Sequence, residues 1–439
     1  MTFSFYGKWG FSQHPFLPYP LSGNELGNVL LVGRTTELHA LETQFRNSSR
    51  IPSVEGPTGV GKTSLINVCV YRMLSSLKRG NDGPFFIPCV CTFQPADLTS
   101  LENVTANVFM AAAQTLIQQR SLFGERDRLI PRLDRVDKWL NSTSLDSWTG
   151  GLNAFIAGAN IGKQVSVNDA EGFLRSGFPQ QITTELKRLF DPGEGIVCVL
   201  DNMELLDFSS KGKKTLDAMR DGLFQVQGIR FAIAGSRGVV HRILASPRLD
   251  GYFHDPLQVG GIDEEHAGAV LKSRRVGFAK DYAVLPICPL LETDFALLHR
   301  IQHSNLRSAL SLADSYCSYV NAHPLKSWSE PAKAEAFSRW LHDRCSVLAA
   351  EVGPSQTRRS WEVFDIAASR FGGSFSPSDC DAFTCNDPAN LRAFVKMLED
   401  AGLVVSTIDE HDTRRRHVDF TAKGWFLYYS RCIAARKKK

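Results

Sequence analysis

Nine consecutive residues constrain the fold of this chain more than any other stretch: Gly56, Pro57, Thr58, Gly59, Val60, Gly61, Lys62, Thr63 and Ser64. They complete the pattern G-x-x-x-x-G-K-[ST], and the flanks supply the context that gives the pattern meaning. Arg50 to Glu55 reads as a short buried strand, and Leu65 to Val70 as the body of a following helix. A strand, a glycine loop and a helix N-terminus together make a cradle for phosphate. Backbone N–H groups turn inward onto the anion, and the positive end of the helix dipole adds to their attraction. Gly56, Gly59 and Gly61 are expected to permit the backbone angles of this turn. Lys62 is then placed to reach the terminal phosphates of a nucleotide, and Thr63 to hold Mg2+.

The chain has 439 residues, too many for one hydrophobic core, and the length alone predicts about three domains. Hydrophobic residues at 43% and charged residues at 22% are the proportions of an ordinary soluble protein. A formal charge of +4 is too small to name a partner, so local clusters must do so. Met1 to Phe16 lack a basic start followed by an apolar core, and no apolar run is long enough to cross a bilayer. A cytoplasmic location with no membrane partner is therefore expected. Ten cysteines without a C-x-x-C pair fit a reducing compartment. Cys89 and Cys91 alternate on a predicted strand, and Cys380 and Cys385 flank a short helix. No further pair completes four ligands, so no structural metal is expected.

Residues 1–32 are rich in aromatics and proline and predict an extended linker that lies along another element. VLLVGRTTELHALETQF then gives an apolar run, Gly33-Arg34, and a helix capped by Thr35 or Thr36 with Glu37 in its first turn. Such a segment before a phosphate loop either packs over the adenine or edges the domain. PFFIPCVCTF predicts a second strand and LENVTANVFMAAAQTLIQQ a helix. Residues 121–170 break this rhythm with a charged stretch and a glycine-rich stretch whose alternation predicts a β-hairpin. They form an expected insertion, of a size that carries partner contacts.

GIVCVLDNMELLD is a fully apolar strand ending in Asp201, which brings a carboxylate to the sheet edge beside the Mg2+ held by Thr63. Asn202 follows, where many ATPases carry the glutamate that polarises the attacking water, and Glu204 is the nearest carboxylate. GIRFAIAGSR predicts the next buried strand, with Ser236 at its end, placed for the γ-phosphate or the water. Arg248 comes after it. Asp263 is expected to cap a helical region that continues to SNLRSALSLA, where Arg307 shares a helix with the apolar positions Leu306, Ala309, Leu310 and Ala313.

Taken together, VGRTTEL, GPTGVGKTS, VLDNMELL, IAGSR and SNLRSALSLA resemble the AAA+ ATPases, and most of all the initiator clade of origin-recognition proteins and helicase loaders. The resemblance covers roughly residues 20 to 320. It implies an α/β fold: a P-loop NTPase core with a parallel sheet at 33–260 and a helical lid at 261–325. By it, Lys62 and Thr63 belong to Walker A, Asp201 to Walker B, Ser236 to sensor one and Arg307 to sensor two. Arg248 is then the arginine that reaches a neighbour's nucleotide in an ATP-dependent oligomer. ATP or ADP and Mg2+ are the implied cofactors. Asn202 departs from the family pattern, which leaves nucleotide binding expected and predicts slow hydrolysis.

Residues 326–355 are polar and proline-punctuated and are expected to be a linker. From 356 to 439 the order is helix, short helix, helix, two strands. Asp387 caps the third helix, Pro388 opens it and Gly402 closes it. Leu391, Phe394, Val395 and Leu398 make its buried stripe and leave Arg392 and Lys396 outside. The order is that of a winged helix, and the segment from Leu398 to Gly424 is similar to the recognition helix and wing of MarR-family regulators. That similarity implies duplex DNA as partner, with Arg392 and Lys396 on the recognition helix and Arg414, Arg415 and Arg416 on the wing. Two functions follow. One is an ATP switch on DNA that recruits or regulates another protein. The other is suggested by the likeness of IAGSR to the STAND signalling ATPases: a signalling or defence ATPase that gates a separate effector and uses the winged helix for protein contact.

Overall fold

The computed structural model describes residues 5–47, 50–78, 83–94, 100–124, 129–140, 173–174, 176–206, 210–236, 238, 240, 248–281, 283–408 and 416–436. The hairpin expected on the glycine-rich stretch 150–167 lies outside the described residues, and so do Arg414 and Arg415. The chain divides into two compact units, Tyr19–Gly260 and a second made of Met1–Pro18 with Gly261–Lys439.

In the first unit the elements run α1 (Glu25–Leu30), α2 (Thr35–Asn47), β1 (Ser53–Glu55), α3 (Lys62–Lys78), β2 (Phe86–Phe93), α4 (Leu101–Gln118), α5 (Arg120–Gly124), α6 (Asp134–Leu140), α7 (Phe178–Leu189), β3 (Gly195–Leu200), α8 (Ser210–Asp221), β4 (Gly228–Gly235) and β5 (Leu257–Gln258). The five strands form one sheet in the order β2-β3-β4-β1-β5, and every pairing is parallel. Both faces are covered, which is why β3 reads as an unbroken apolar run. Its residues alternate between two cores. Ile196, Cys198 and Leu200 pack with Phe109, Ala112 and Phe231 on one face, and Val197 and Val199 pack with Leu41, Ile66 and Met73 on the other.

Residues 1–32 are not extended throughout, as the sequence predicts: Phe5–Trp9 is a 3-10 helix and α1 begins at Glu25. Asn24, whose side chain accepts from the Gly27 N–H, supplies the cap that allows it. The segment between does lie along another element. The Leu21 N–H donates to Ser64 Oγ at 2.9 Å, and the Leu21 carbonyl accepts from Asn67 Nδ2 at 3.0 Å. One helical turn further along α3, Tyr71 and Arg72 bond to Glu25 and Asn28 of α1.

The second unit contains α9 (Glu264–Gly277), α10 (Glu292–Ile301), α11 (Leu306–Ala322), α12 (Glu330–Val352), α13 (Arg358–Phe371), β6 (Ser374–Phe375), α14 (Pro388–Asp400), β7 (Val404–Ile408), β8 (Arg416–Phe420) and α15 (Ala422–Arg436). Residues 5–16 are part of its core. Main-chain bonds join Ser12 to Phe278, Lys280 to Gly10 and Ile287 to Trp9, each at 2.8 Å. Tyr6 OH donates to Asp314 Oδ1 at 2.6 Å, and His14 Nε2 lies 3.0 Å from the same oxygen. Those two partners hold the Asp314 carboxyl below its ordinary range, the His14 hydrogen bond first.

Residues 326–355, expected to be a linker, hold the 23-residue helix α12. Its proline stands in the first turn, where the missing N–H costs nothing. Phe337, Trp340, Leu341 and Cys345 recur at helical spacing and are buried, and two of them pack on Tyr316. Polar composition at the start of this segment reflects an exposed face, not an absence of structure. Asp263 stands at the N-cap of α9 as expected, but its side chain makes no capping hydrogen bond.

The last domain has the expected winged-helix order, with β6, β8 and β7 in an antiparallel sheet. Asp387 caps α14 through the Asn390 N–H at 2.8 Å, and Gly402 takes the left-handed conformation just past its end, at φ +71°. Trp425 of α15 lies over Gly373, where any Cβ would clash with the indole at 2.2 Å, and stacks on His303 with ring centroids 3.4 Å apart. The observed class is the expected α/β one: a parallel sheet with a phosphate loop between β1 and α3, a helical domain, and a C-terminal domain in winged-helix order. Among the described residues no helix is long and apolar enough to cross a membrane.

Candidate nucleotide-binding site

The phosphate loop runs from the end of β1 into α3, which starts at Lys62. Its three glycines do different work. Gly59 and Gly61 hold φ of +85° and +97°, the left-handed region that turns successive N–H groups to one side. Gly56 does not; a Cβ there would meet the Val259 carbonyl oxygen at 2.0 Å, so close approach of another segment requires it. Pro57 and Thr58 are exposed at the loop's outer turn, and Val60 is buried.

Lys62, Thr63, Ser64 and Asp201 are all buried polar residues. Lys62 Nζ donates to the carbonyls of Gly56 and Pro57 at 2.9 and 3.0 Å, so its ammonium lies in the bowl of the loop. Thr63 Oγ1 donates to Asp201 Oδ2 at 2.7 Å. The two signatures that the sequence separates by 138 positions therefore meet. A hydroxyl and a carboxylate side by side are hard oxygen donors, the set that suits Mg2+. Ser64 serves a different end, since its Oγ is taken by the Leu21 N–H.

Asn202 follows Asp201 with its backbone in the left-handed region, at φ +56°. Its N–H donates to Asp201 Oδ1 at 2.9 Å, which fixes the carboxylate from the side opposite Thr63. Glu204 lies on a 3-10 turn, Met203–Leu206, and its side chain falls outside the described residues. Ser236 follows Gly235, which pairs with Glu55 and accepts the Gly56 N–H at 3.3 Å. The register thus brings Ser236 to the sheet edge beside the loop. Arg248 is exposed in a turn, and its carbonyl accepts from Arg220 Nη1 at 3.0 Å.

Arg307 belongs to the other unit. It is exposed in the first turn of α11, whose N-cap Asn305 accepts from the Ser308 N–H. Arg392 and Lys396 are exposed on α14, opposite the buried Leu391, Val395 and Leu398. Arg416 opens β8, paired with Ile408; its side chain falls outside the described residues. Glu399 Oε1 accepts the Ser406 N–H at 2.8 Å and so fastens the base of the wing to α14.

Cys89 and Cys91 lie on β2 as expected. Thr115 Oγ1 lies 3.8 Å from Cys89 Sγ, and a hydrogen bond with Cys198 lowers the Cys89 thiol below its ordinary range. Two further residues at the loop, Arg34 and Glu55, stand outside the motif residues named above. Arg34 bonds to the Val60 carbonyl inside the loop, and Glu55, buried at the end of β1, accepts from Gln258 Nε2 at 2.9 Å. The sequence signal for the first is a cation just ahead of α2, three residues before Glu37.

No protein-family model matches the chain, and no curated protein matches it. Solved structures similar in fold include the Aeropyrum pernix ORC1 protein in complex with DNA, at 14% identity and TM-score 0.43 over 93% of this chain and 97% of that one. The Aeropyrum pernix ORC2 protein in ADPNP and ADP complexes is similar at 14% identity and TM-score 0.44, over 92% and 95%. A Walker-type ATPase of Pyrococcus abyssi is similar at 14% identity and TM-score 0.44, over 95% and 100%.

Proposed function

We propose that this chain is an ATP-binding AAA+ switch that hydrolyses slowly and holds duplex DNA through its winged helix, where it recruits or regulates a partner protein. The observation that carries the nucleotide reading is the buried Thr63–Asp201 contact at 2.7 Å beneath a complete phosphate loop. Phosphate oxygens accept from the loop N–H groups and from Lys62. Thr63 and Asp201 would hold Mg2+, which would neutralise phosphate charge. Asn202 offers an amide where a proton acceptor is needed, so orientation of the water falls to Ser236 and any proton transfer to Glu204. Slow turnover makes the bound nucleotide a lasting signal. Arg307 responds to it from the helical domain, and Arg248 responds from a neighbouring copy.

DNA binding rests on the two elements that a winged helix offers a duplex. Arg392 and Lys396 project from α14 toward the major groove, and Arg414 to Arg416 meet backbone phosphates from the wing. A second reading, the signalling ATPase, is favoured by the way this domain is fastened. His303 stacks on Trp425, and Lys423 pairs with Glu351 of α12 at 2.8 Å, as befits a rigid packing element.

The test is calorimetric titration of ATP into wild type and Lys62→Ala, followed by duplex anisotropy with ATP and with ADP. Loss of the ammonium should weaken ATP binding by about 2 kcal/mol or more. Equal affinity in the two proteins removes the site. Tight ATP binding without duplex binding at low salt transfers the function to the signalling reading.

A further inference from the structure

Arg34 is buried, at 4% exposure, and its guanidinium has three acceptors. Nη1 donates to Glu37 Oε1 at 2.6 Å. Nη2 donates to the Val60 carbonyl at 3.0 Å and to the Gly260 carbonyl at 2.7 Å. Val60 lies inside the phosphate loop, and Gly260 is the last residue of the nucleotide unit, followed by Gly261 of the helical unit. One nitrogen of one rigid fork therefore ties the loop to the point where the chain leaves it.

The same exit segment also grips the start of the loop. The Val259 N–H donates to the Glu55 carbonyl at 2.7 Å, and its own carbonyl occupies the space that makes Gly56 obligatory. Gln258 holds the Glu55 carboxylate. Gly56 at the start of the loop and Val60 within it are thus both held against three consecutive residues, 258–260. The loop cannot shift its Val60 carbonyl without either breaking a charge-assisted hydrogen bond in a buried setting or carrying Gly260 with it.

We propose that Arg34 is the positioning residue that couples nucleotide to lid: the loop conformation selected by a nucleoside triphosphate is passed through Arg34 to the chain at Gly260. The proposal rests on the nucleotide reading of the loop given above. It makes a buried arginine, not a residue that touches phosphate, the carrier of the signal. Coupling of this kind is a free energy shared between two segments, so it is separable from affinity itself.

Lysine cannot reproduce the fork, since a single ammonium on a shorter stem does not reach both carbonyls in the same geometry. The experiment is hydrogen–deuterium exchange of the full chain with and without ATP, read in peptides spanning 56–64 and 257–262, for wild type and Arg34→Lys. In wild type ATP should slow exchange in both peptides. In Arg34→Lys it should still protect 56–64, with ATP affinity lowered less than tenfold, and leave 257–262 as it is without ATP. Full protection of both peptides in a folded Arg34→Lys protein overturns the coupling. So does a wild type that binds ATP and protects only 56–64, although the nucleotide reading then stands. A wild type that does not bind ATP overturns the nucleotide reading and the coupling with it. Should Arg34→Lys not fold, Glu37→Gln decides. It keeps both carbonyl bonds but removes the carboxylate that orients Nη1, and protection of 257–262 should fall at least twofold. Unchanged protection there also overturns the proposal.

Discussion

The N–H of Asn202 donates to the carboxylate of Asp201 at 2.9 Å, and it can do so because Asn202 takes a φ of +56°. Asparagine tolerates that left-handed conformation better than glutamate does. The residue that departs from the expected ATPase pattern is thus the one that suits the backbone here. Asn202→Glu should cost about 1 kcal/mol of stability and, by supplying the missing proton acceptor, speed ATP turnover, whereas Asn202→Gly should be close to neutral in stability and stay slow. Urea denaturation and steady-state ATPase measurements check this; a glutamate variant as stable as wild type, or one with no gain in turnover, would refute it.

Burial raises the Asp294 carboxyl from 3.8 to about 6, despite the Leu291 N–H that bonds to it. A raised acid means that the folded chain holds a proton which the unfolded chain has released between about pH 4 and 6. Asp294 therefore disfavours folding above pH 6, and its penalty is relieved as the pH falls through that window. A shift of this size is worth about 3 kcal/mol for a fully buried group, and partial exposure reduces it to about 1 kcal/mol. Asp294→Asn keeps an acceptor for Leu291 and loses the charge. It should raise Tm at pH 7.5 and leave it nearly unchanged at pH 4.5. A lower Tm at pH 7.5 would show that the carboxylate stabilises the fold.

The wing and α14 should contribute differently to duplex binding. An Arg414/Arg415/Arg416→Ala variant loses phosphate contacts and should flatten the slope of log K against log salt by about 0.9 for each contact, equally on all sequences. Arg392→Ala and Lys396→Ala should also change the ranking of sites. Fluorescence anisotropy at several salt concentrations separates the two, and an unchanged slope in the triple variant would take the wing off the DNA.

Arg248 is exposed, and its carbonyl accepts from Arg220 Nη1. If its side chain serves a neighbouring copy, ATP should promote self-association and Arg248→Ala should abolish that response while ATP affinity stays the same. Light scattering with ATP, ADP and neither is the measurement. A monomer in all three at micromolar concentration would leave Arg248 a surface charge.

Parts of the site written in the chemistry of the chain were legible without the fold. Lys62 and Thr63 stand in a fixed local pattern, and Asp201 ends a strand so apolar that only a doubly covered parallel sheet can take it. Asp387, Pro388 and Gly402 bracket α14 because caps and helix ends have strong local preferences. Arg34 was not legible as a tether, since two of its acceptors are backbone carbonyls, which leave no trace in residue type. Gly56 is expected from the motif to permit the backbone angles of a turn, but its reason is the Val259 carbonyl, a contact made across some 200 positions. Helix α12 was missed because its polar first turns conceal Phe337 and Trp340, whose partner Tyr316 lies on another helix.

Residues 5–16 are bound by the helical unit much as a peptide ligand is bound in a groove: by main-chain hydrogen bonds at Trp9, Gly10 and Ser12 and by the buried rings of Tyr6, Phe11 and Phe16. A chain trimmed to begin at residue 19 would therefore lose core, not a tail. The rest of its helical unit would be left with an open, apolar slot of defined sequence preference. Such a slot invites capture of the same segment from another molecule, or complementation by a synthetic peptide of residues 1–18. Cleavage after Pro18 would likewise leave a nicked but intact particle, in which the released strand stays in place until it is competed away.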